Sequence, residues 1–228
     1  MKQYHKIKVL KLKHLLKKNL FIFDFDGVIC NSVNIKTDAF FDLYSTFGPK
    51  IADQVKSHHI ENGGMSRYEK ISLYHKEFLN VSPSAEDINE FANNFSELVF
   101  KKVVSAELVD GVLSFLDLLR NNGKICAINS ATPEYEIRKI IKEKDLDKYF
   151  FKVFGSPNTK SENLIKIINS TDFNKEETIF FGDAVNDLHA ALKEKVDFIG
   201  VGEEIITNEQ FRKSDYFHIR DFKILFKE

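Results

Sequence analysis

The chain has 228 residues, enough for one large hydrophobic core or for a domain that carries a smaller inserted one. Hydrophobic residues make up 43% of it and charged residues 29%, and the net charge of −1 argues against nucleic acid or an anionic membrane as the main partner. The two cysteines, Cys30 and Cys126, lie in or beside apolar runs, which indicates neither a disulfide framework nor a zinc site and favours a reducing, cytoplasmic location.

The N-terminal segment is basic, with apolar residues between the lysines. It lacks the continuous apolar segment of a secretory signal, and no stretch of the chain reaches the ~18 uninterrupted apolar residues that a membrane span requires. Two interpretations stay open: an amphipathic helix that lies on a surface, or a solvated lead-in that packs a few leucines on the core.

An apolar run that begins at Leu20 and ends in Asp24 and Asp26 predicts a buried strand, and Gly27 follows it at a turn. Residues two apart on a strand share a face, so both carboxylates can point the same way as the chain leaves the sheet. Two close carboxylates repel each other unless a cation lies between them or one keeps its proton. The stretch therefore suggests a divalent cation with a nucleophile–acid pair, and a strand followed by an acidic turn explains it equally well.

Residues 32–105 show helical spacing of apolar side chains and no convincing strand. Gly48-Pro49, Asn62-Gly63-Gly64 and Ser82-Pro83 divide this stretch into separate helices. We expect a small helical domain at 32–105, inserted into a core formed by residues 1–31 and 106–228.

From residue 106 onward, predicted helices and strands alternate. The helices are 112–120, 134–144, 161–169 and 188–195, with Pro133 at a first helical position, and the strands are 124–129, 152–155, 178–181 and 198–201. This alternation predicts an α/β fold, a doubly wound Rossmann-like parallel sheet with helices on both faces.

Polar side chains follow several of these strands, at the edge where such sheets bind ligands. They are Asp24 and Asp26, Ser130 and Thr132, Lys160, and Asp183 and Asp187. Taken singly, Ser130 reads as a helix cap and Lys160 as a surface charge. Because all four clusters follow the carboxyl ends of predicted strands, they favour a common site.

In order and spacing, the clusters resemble the four motifs of the haloacid dehalogenase-like hydrolase superfamily. The matching segments are DFDGV at 24–28, INSAT at 128–132, SPNTK at 156–160 and GDAVND at 182–187. The helical stretch resembles the small cap that follows the first motif in the phosphatase branch, which includes phosphoglycolate phosphatases and β-phosphoglucomutase-like proteins. Members that displace halide from carbon lack the second aspartate, so Asp26 favours phosphorus chemistry.

The resemblance implies roles for the motif residues. Asp24 would be the nucleophile that forms an aspartyl-phosphate, and Asp26 the general acid and then the general base. Mg²⁺, the implied cofactor, would bind Asp24, the backbone carbonyl of Asp26 and Asp183, with Asp187 bridging through water. Lys160 would hold Asp24 and neutralise developing charge.

The implied phosphate site includes Ser130, whose hydroxyl would bind a phosphoryl oxygen, together with Ala131 and Gly27. Asn129 is either a residue that orients this loop or a spectator.

The cap is expected to select the substrate. Arg67 is a candidate for an anionic or hydroxyl-rich part of it, and a surface arginine that starts a helix is an equally good interpretation. Lys36 can also face the cleft. The adjacent His58 and His59 are interpreted as ordinary residues at a helix end, and Gly63-Gly64 either presents backbone amides or turns the chain.

We therefore expect a Mg²⁺-dependent phosphatase of a small phosphorylated metabolite, with a phosphosugar preferred, acting as a monomer or homodimer without nucleic acid or membrane partners. One alternative is a phosphosugar mutase, because Gly-x-Ser-Arg at 64–67 resembles the mutase cap. Those mutases carry a histidine about where Lys36 stands, which counts against this alternative. A catalytically idle binding member is the other, and the intact motif residues argue against it.

Overall fold

The computed structural model describes residues 12–203, 205–214 and 216–227, and its helices and strands alternate through most of that length. The strands are β1 (Leu20–Phe23), β2 (Ile125–Pro133), β3 (Lys152–Ser156), β4 (Thr178–Gly182), β5 (Asp197–Val201) and β6 (Phe217–Ile219). The α-helices are α1 (Leu12–Leu15), α2 (Val33–Ser45), α3 (Pro49–Glu61), α4 (Arg67–Glu77), α5 (Ala85–Ser105), α6 (Val112–Asn121), α7 (Glu134–Glu143), α8 (Lys160–Asn169), α9 (Val185–Glu194) and α10 (Glu209–Lys213).

The six strands form one parallel sheet in the order β3-β2-β1-β4-β5-β6. The central strand β1 pairs with β2 on one side and β4 on the other, and the strand order reverses there. A ligand in such a sheet binds beyond the carboxyl ends of the strands at this reversal point. The predicted doubly wound Rossmann-like parallel sheet is therefore confirmed.

Alternate residues of β1 enter two separate hydrophobic cores. Phe21 and Phe23 belong to the larger core, where the Phe23 ring stacks on Phe181 at 4.9 Å between centroids. Leu20 and Ile22 belong to the smaller core on the opposite face, with residues of α8 and α9. Full burial of one such side chain contributes about 1.5–3 kcal/mol, so the apolar β1 is held firmly and fixes where Asp24 leaves the sheet.

Helices α2 to α5 lie between β1 and α6, and we call them the helical insert. Ser66 and Ser84 begin α4 and α5 with capping boxes, in which side chain and backbone bond reciprocally. Buried aromatic rings pack between these helices, with Phe40 and Phe95 at 4.2 Å between centroids. The helical character of this stretch matches the expectation, and the division of the chain into domains at 32 and 105 stays a prediction.

Some element boundaries differ from those that the sequence predicts. Strand β2 continues to Pro133, which pairs with Ser156 beyond a register shift, so Pro133 ends a strand and α7 begins at Glu134. Strand β6 was missed because it has three residues, too few for a periodic pattern.

The basic N-terminal segment lies outside the described residues as far as Lys11. In the part that is described, Leu15 is buried, and Leu12 and Leu16 pack against the larger core. Within the described ranges, no helix combines the length and apolar character needed to cross a bilayer.

Candidate active site

Asp24 is placed by the end of the central strand. Its N–H donates to the carbonyl of Phe181 at 2.8 Å, which extends the pairing of β1 with β4 by one residue. One Asp24 carboxylate oxygen accepts from the Phe25 N–H at 2.6 Å, and the side chain is buried. The turn that follows uses Gly27 with a φ of 72°, a conformation that favours glycine.

Lys160 begins α8, whose capping residue Thr159 accepts from the Glu162 N–H at 3.2 Å. The Lys160 Nζ lies 2.7 Å from Asp24 Oδ2 and 2.8 Å from Asp187 Oδ1. It also donates to the Asn129 carbonyl at 2.9 Å. Burial opposes its charged form, yet the carboxylates of Asp187 and Asp24 hold the pKa of Lys160 above its usual range. Lys160 is therefore a buried cation shared by two carboxylates.

Asn129 is part of this arrangement, because its side-chain amide donates to the Lys160 carbonyl at 2.9 Å. The two residues thus exchange hydrogen bonds between the end of β2 and the start of α8. The sequence left Asn129 undecided between a positioning residue and a spectator, and these contacts support the first.

Asp24, Asp183 and Asp187 bring one carboxylate oxygen each to within 4.8 Å of one another. Burial raises the pKa of both Asp24 and Asp183, Lys160 opposes this, and neighbouring carboxylates raise both further. Crowded carboxylates of this kind keep protons unless a cation replaces them. A set of three oxygen donors fits a hard divalent cation, so these residues could hold a metal ion.

Two glycines allow the carboxylates to approach the backbone. A Cβ at Gly27 would lie 2.2 Å from Asp183 Oδ2, and one at Gly182 would lie 2.3 Å from the Asp187 Cβ. Asp187 is also held by the Ala184 N–H, which donates to its Oδ2 at 3.2 Å.

Asp26 lies at the edge of the cluster and has different partners. Its carboxylate accepts from the Ser32 hydroxyl and from Lys36 Nζ, both at 2.5 Å, and from the Thr132 hydroxyl at 3.3 Å. Lys36 Nζ also donates to the Thr132 hydroxyl at 2.7 Å. Although burial acts in the opposite direction, Lys36 and the hydrogen bonds hold the pKa of Asp26 below its usual range. Lys36 thus favours the ionised form of Asp26, whereas burial favours the protonated form of Asp24.

The predicted phosphate-binding residues lie around this point. The Ser130 hydroxyl is buried and accepts from the Thr132 N–H at 3.1 Å, while Ala131 lines the cavity in front of Asp24. The Gly27 N–H donates to the Cys30 carbonyl at 2.8 Å.

A cavity of about 80 Å³ lies between this edge of the sheet and the helical insert. The sheet side contributes Asp24, Asp26, Asp183, Ala131 and Thr132; the insert side contributes Lys36, His59, Arg67, Lys70 and apolar side chains that include Phe40 and Phe95. The carboxyl ends of the strands and the helical insert therefore line one cavity.

Arg67 lines the cavity but is already paired. Its guanidinium binds both carboxylate oxygens of Glu136 on α7, at 2.7 and 2.8 Å, and also donates to the Ser96 hydroxyl of α5. Its carbon lies 4.7 Å from the centre of the Phe95 ring. Arg67 and Glu136 are both buried, so this ion pair joins the insert to α7.

Lys70 and His59 were missed as site residues. Lys70 Nζ lies 2.9 Å from His59 Nδ1, and the Lys70 side chain is 2% exposed. Burial and repulsion by Lys36 lower the pKa of Lys70 to about 7; burial and repulsion by Lys70 lower that of His59 to about 2. One feature of the sequence could have indicated Lys70 as a site residue. It follows Arg67 by three positions, so the two side chains lie on the same face of the helix.

The fold and these residues define a class of protein: a doubly wound α/β protein with an aspartate–lysine cluster at the carboxyl ends of its strands and a helical insert above it. The family model of the haloacid dehalogenase-like hydrolases matches residues 21–201, so the chain belongs to that family.

The chain is also similar to proteins whose names indicate an activity. A phosphoglycolate phosphatase from Psychrobacter arcticus is 24% identical over 82% of this chain and 84% of its own length. Phosphoglycolate phosphatase 1 from Pseudomonas aeruginosa is 25% identical over 75% of this chain and 65% of its own length. The solved structure of a β-phosphoglucomutase from Clostridium difficile shares the fold, with a TM-score of 0.72 and 20% identity over 91% of this chain and 93% of that one.

Proposed function

We propose that this haloacid dehalogenase-like phosphatase hydrolyses a small phosphorylated metabolite through an aspartyl-phosphate on Asp24, with Mg²⁺ as cofactor. The observation that carries the proposal is the position of Lys160, within 2.8 Å of both Asp24 and Asp187. These residues come from three separate parts of the chain, and a buried cation shared by two carboxylates is arranged for charge stabilisation. Both curated relatives carry the name phosphoglycolate phosphatase.

In the first step, an Asp24 carboxylate oxygen attacks phosphorus, the ester P–O bond breaks, and the leaving alkoxide takes a proton from Asp26. Asp26 must first take up that proton from solvent. The approach of a phosphate dianion favours this, because its negative charge opposes the effect of Lys36. In the second step, Asp26 removes a proton from water, which attacks phosphorus and releases phosphate and the Asp24 carboxylate.

Asp24, Asp183 and the backbone carbonyl of Asp26 would hold Mg²⁺, with Asp187 linked through water. When bound, the ion supplies positive charge that offsets repulsion between the carboxylates and the phosphate. Lys160 meanwhile holds Asp24 in place, since it contacts Asp24 Oδ2 and is itself fixed by Asn129 and Asp187.

The cavity volume of about 80 Å³ supports a small substrate. The expected preference for a phosphosugar rests on Arg67 and Lys36. Both line the cavity, and both are engaged by carboxylates, Glu136 and Asp26. The sugar preference stays a prediction, and it is weakened because these two cations are less available to a substrate.

The mutase alternative has one observation in its favour, the presence of Arg67 in the cavity wall next to Gly64 and Met65. Its test is whether a bisphosphorylated sugar primes the isomerisation of a sugar monophosphate. Release of free phosphate without isomerisation would reject it.

Phosphate release from a panel of phosphorylated metabolites, with Mg²⁺ and with a chelator, tests the proposed function. We expect Mg²⁺-dependent release by the native chain. Asp24→Asn should lower turnover by at least about a thousandfold with the fold retained, because the nucleophile is lost. Asp172→Asn, the same change at an exposed loop position, is the matched control and should keep native turnover. Substantial activity of Asp24→Asn, or activity that does not respond to the chelator, would contradict the proposal.

A further inference from the structure

The cations of the cavity wall differ in their partners. Lys36 pairs with Asp26 at 2.5 Å, and Arg67 pairs with Glu136 at 2.7 Å. Lys70 instead forms hydrogen bonds with His59, through Nδ1 at 2.9 Å and the carbonyl oxygen at 3.4 Å. Among the residues that the structure describes, no carboxylate forms an ion pair with Lys70. The insert thus presents to the cavity a cation without a counter-ion.

The burial of Lys70 makes this arrangement costly. Its side chain is 2% exposed, and an ammonium removed from water without an opposite charge loses much of its solvation. The Phe40 ring, 5.8 Å from Nζ, offsets part of this loss. Lys36, which also lines the cavity, adds repulsion, and attraction to the Asp26 carboxylate offsets part of it. A negative group bound beside Lys70 would relieve both effects.

His59 prepares Lys70 for such a group. An imidazole nitrogen that faces an ammonium at 2.9 Å must accept, so His59 Nδ1 takes one N–H of Lys70 and the ring proton lies on Nε2. The imidazole packs on Phe40 at 4.8 Å between centroids, which fixes its orientation. An ammonium has three N–H groups and His59 accepts two of them, so one remains for a ligand in the cavity.

The space beside Lys70 is small, about 80 Å³, and it is partly open to solvent. It favours a compact occupant, such as a phosphoryl group on a chain of about two or three carbons. A carboxylate satisfies the charge within that volume. A second phosphoryl group would fill much more of it.

We propose that Lys70, oriented by His59, binds a carboxylate at the end of the substrate remote from the phosphoryl group, so that the enzyme selects short phosphorylated acids. This inference rests on the phosphatase function proposed above. In it, Asp24 and Lys160 on the sheet side take the phosphoryl group, while Lys70 on the insert side sets specificity.

The test compares phosphate release from matched pairs of esters of about two to four carbons, one ending in a carboxylate and the other in an alcohol. We expect the native enzyme to favour the acid-ended ester in kcat/KM by about tenfold or more, mainly through KM, as a charge-assisted hydrogen bond implies. Lys70→Met should bring the ratio of the two kcat/KM values close to one. Lys76→Met, an exposed lysine on the same helix, should keep the native ratio.

Each outcome decides between the two proposals. If neither ester nor p-nitrophenyl phosphate is hydrolysed with Mg²⁺, the phosphatase function fails. If esters are hydrolysed but the native enzyme favours the alcohol-ended or a bisphosphorylated ester, the carboxylate inference alone is overturned. An unchanged ratio in a folded Lys70→Met variant overturns it as well. The native preference is measured without any variant, so the inference is testable even if Lys70→Met does not fold.

Discussion

Gly27 follows the Asp24–Asp26 pair with a φ of 72°, and a Cβ at this position would lie 2.2 Å from Asp183 Oδ2. The added atom would also lie 2.7 Å from the Asp183 Cγ and 3.1 Å from its Cβ, so the whole Asp183 side chain would have to move. A larger residue would therefore displace Asp183 from the carboxylate cluster more readily than it would unfold the chain. Gly27 thus contributes to the proposed metal site through the space that it leaves open.

We predict that Gly27→Ala folds but loses affinity for Mg²⁺ by about 10–100-fold, the usual effect of disturbing the surroundings of a metal ligand. The measurement is the Mg²⁺ concentration dependence of phosphate release. Gly123→Ala is the matched control, because Gly123 has a φ of 65° and no neighbouring atom within 4 Å of the added Cβ. It shares the backbone strain without the contact and should keep native Mg²⁺ dependence. Equal loss in both variants would assign the effect to strain.

At the scale of single residues, the sequence predicted the catalytic candidates better than the specificity candidates. Asp24, Lys160 and Asp183 follow buried strands in a recognisable order, so their convergence could be expected from parallel-sheet geometry. Lys70 and His59 could not be expected in the same way. A lysine inside a helix usually points to solvent, and only the packing of α4 against α3 and Phe40 shows that this one does not.

Helix α4 has an unusual buried face, since its buried residues include Arg67 and Lys70 as well as Ile71 and Tyr74. Arg67 is compensated by Glu136 in direct contact, whereas Lys70 contacts neutral groups and is attracted by the Asp26 carboxylate without forming an ion pair with it. Burial of the Lys70 charge is therefore expected to lower the free energy of unfolding, while it places a cation in the cavity.

The pH dependence of the free energy of unfolding tests whether burial of the charged Lys70 side chain destabilises the fold. Lys70 has a pKa of about 7 in the folded chain against 10.5 in a free side chain. Between these pH values the unfolded chain binds more protons at this position, so its contribution makes the folded state more stable as pH rises. Below pH 7 both states are protonated and the full cost of burying the charge is present.

We predict that Lys70→Met raises the free energy of unfolding at pH 6, and that this advantage over the native chain narrows by about 1–3 kcal/mol between pH 6 and pH 9. Urea unfolding of both chains at each pH measures the difference, in which titrations common to both cancel. Lys76→Met should show no such narrowing, because Lys76 is exposed. An advantage that grows with pH would contradict the argument.

At the scale of the whole molecule, the alternation of helices and strands was enough to predict the sheet and its parallel strands. It was not enough for β6, whose three residues carry no periodic signal, or for the course of β2 through Pro133. Nor could the ion pair that connects the helical insert to α7 be predicted. Arg67 and Glu136 are 69 residues apart, and nothing in the local sequence of either marks the other as its partner.

The Arg67–Glu136 pair connects α4 with α7, and Ser96 of α5 donates to the same Glu136 carboxylate at 2.6 Å. Both ions are almost fully buried, with side chains 4% and 3% exposed. Removal of one ion leaves the other buried without a counter-ion, which typically costs 3–5 kcal/mol. Removal of both leaves no uncompensated charge, so the cost should not be the sum of the two.

We predict that Arg67→Met and Glu136→Gln each lower the free energy of unfolding by about 3 kcal/mol, and that the double variant costs clearly less than their sum. Urea unfolding of the four chains gives the coupling energy. Arg138→Gln breaks an exposed pair with Glu134 on the same helix as Glu136, and it should cost less than about 1 kcal/mol. Additive losses in the double variant would mean that the two side chains stabilise the fold separately, and that their ion pair does not couple α4 to α7.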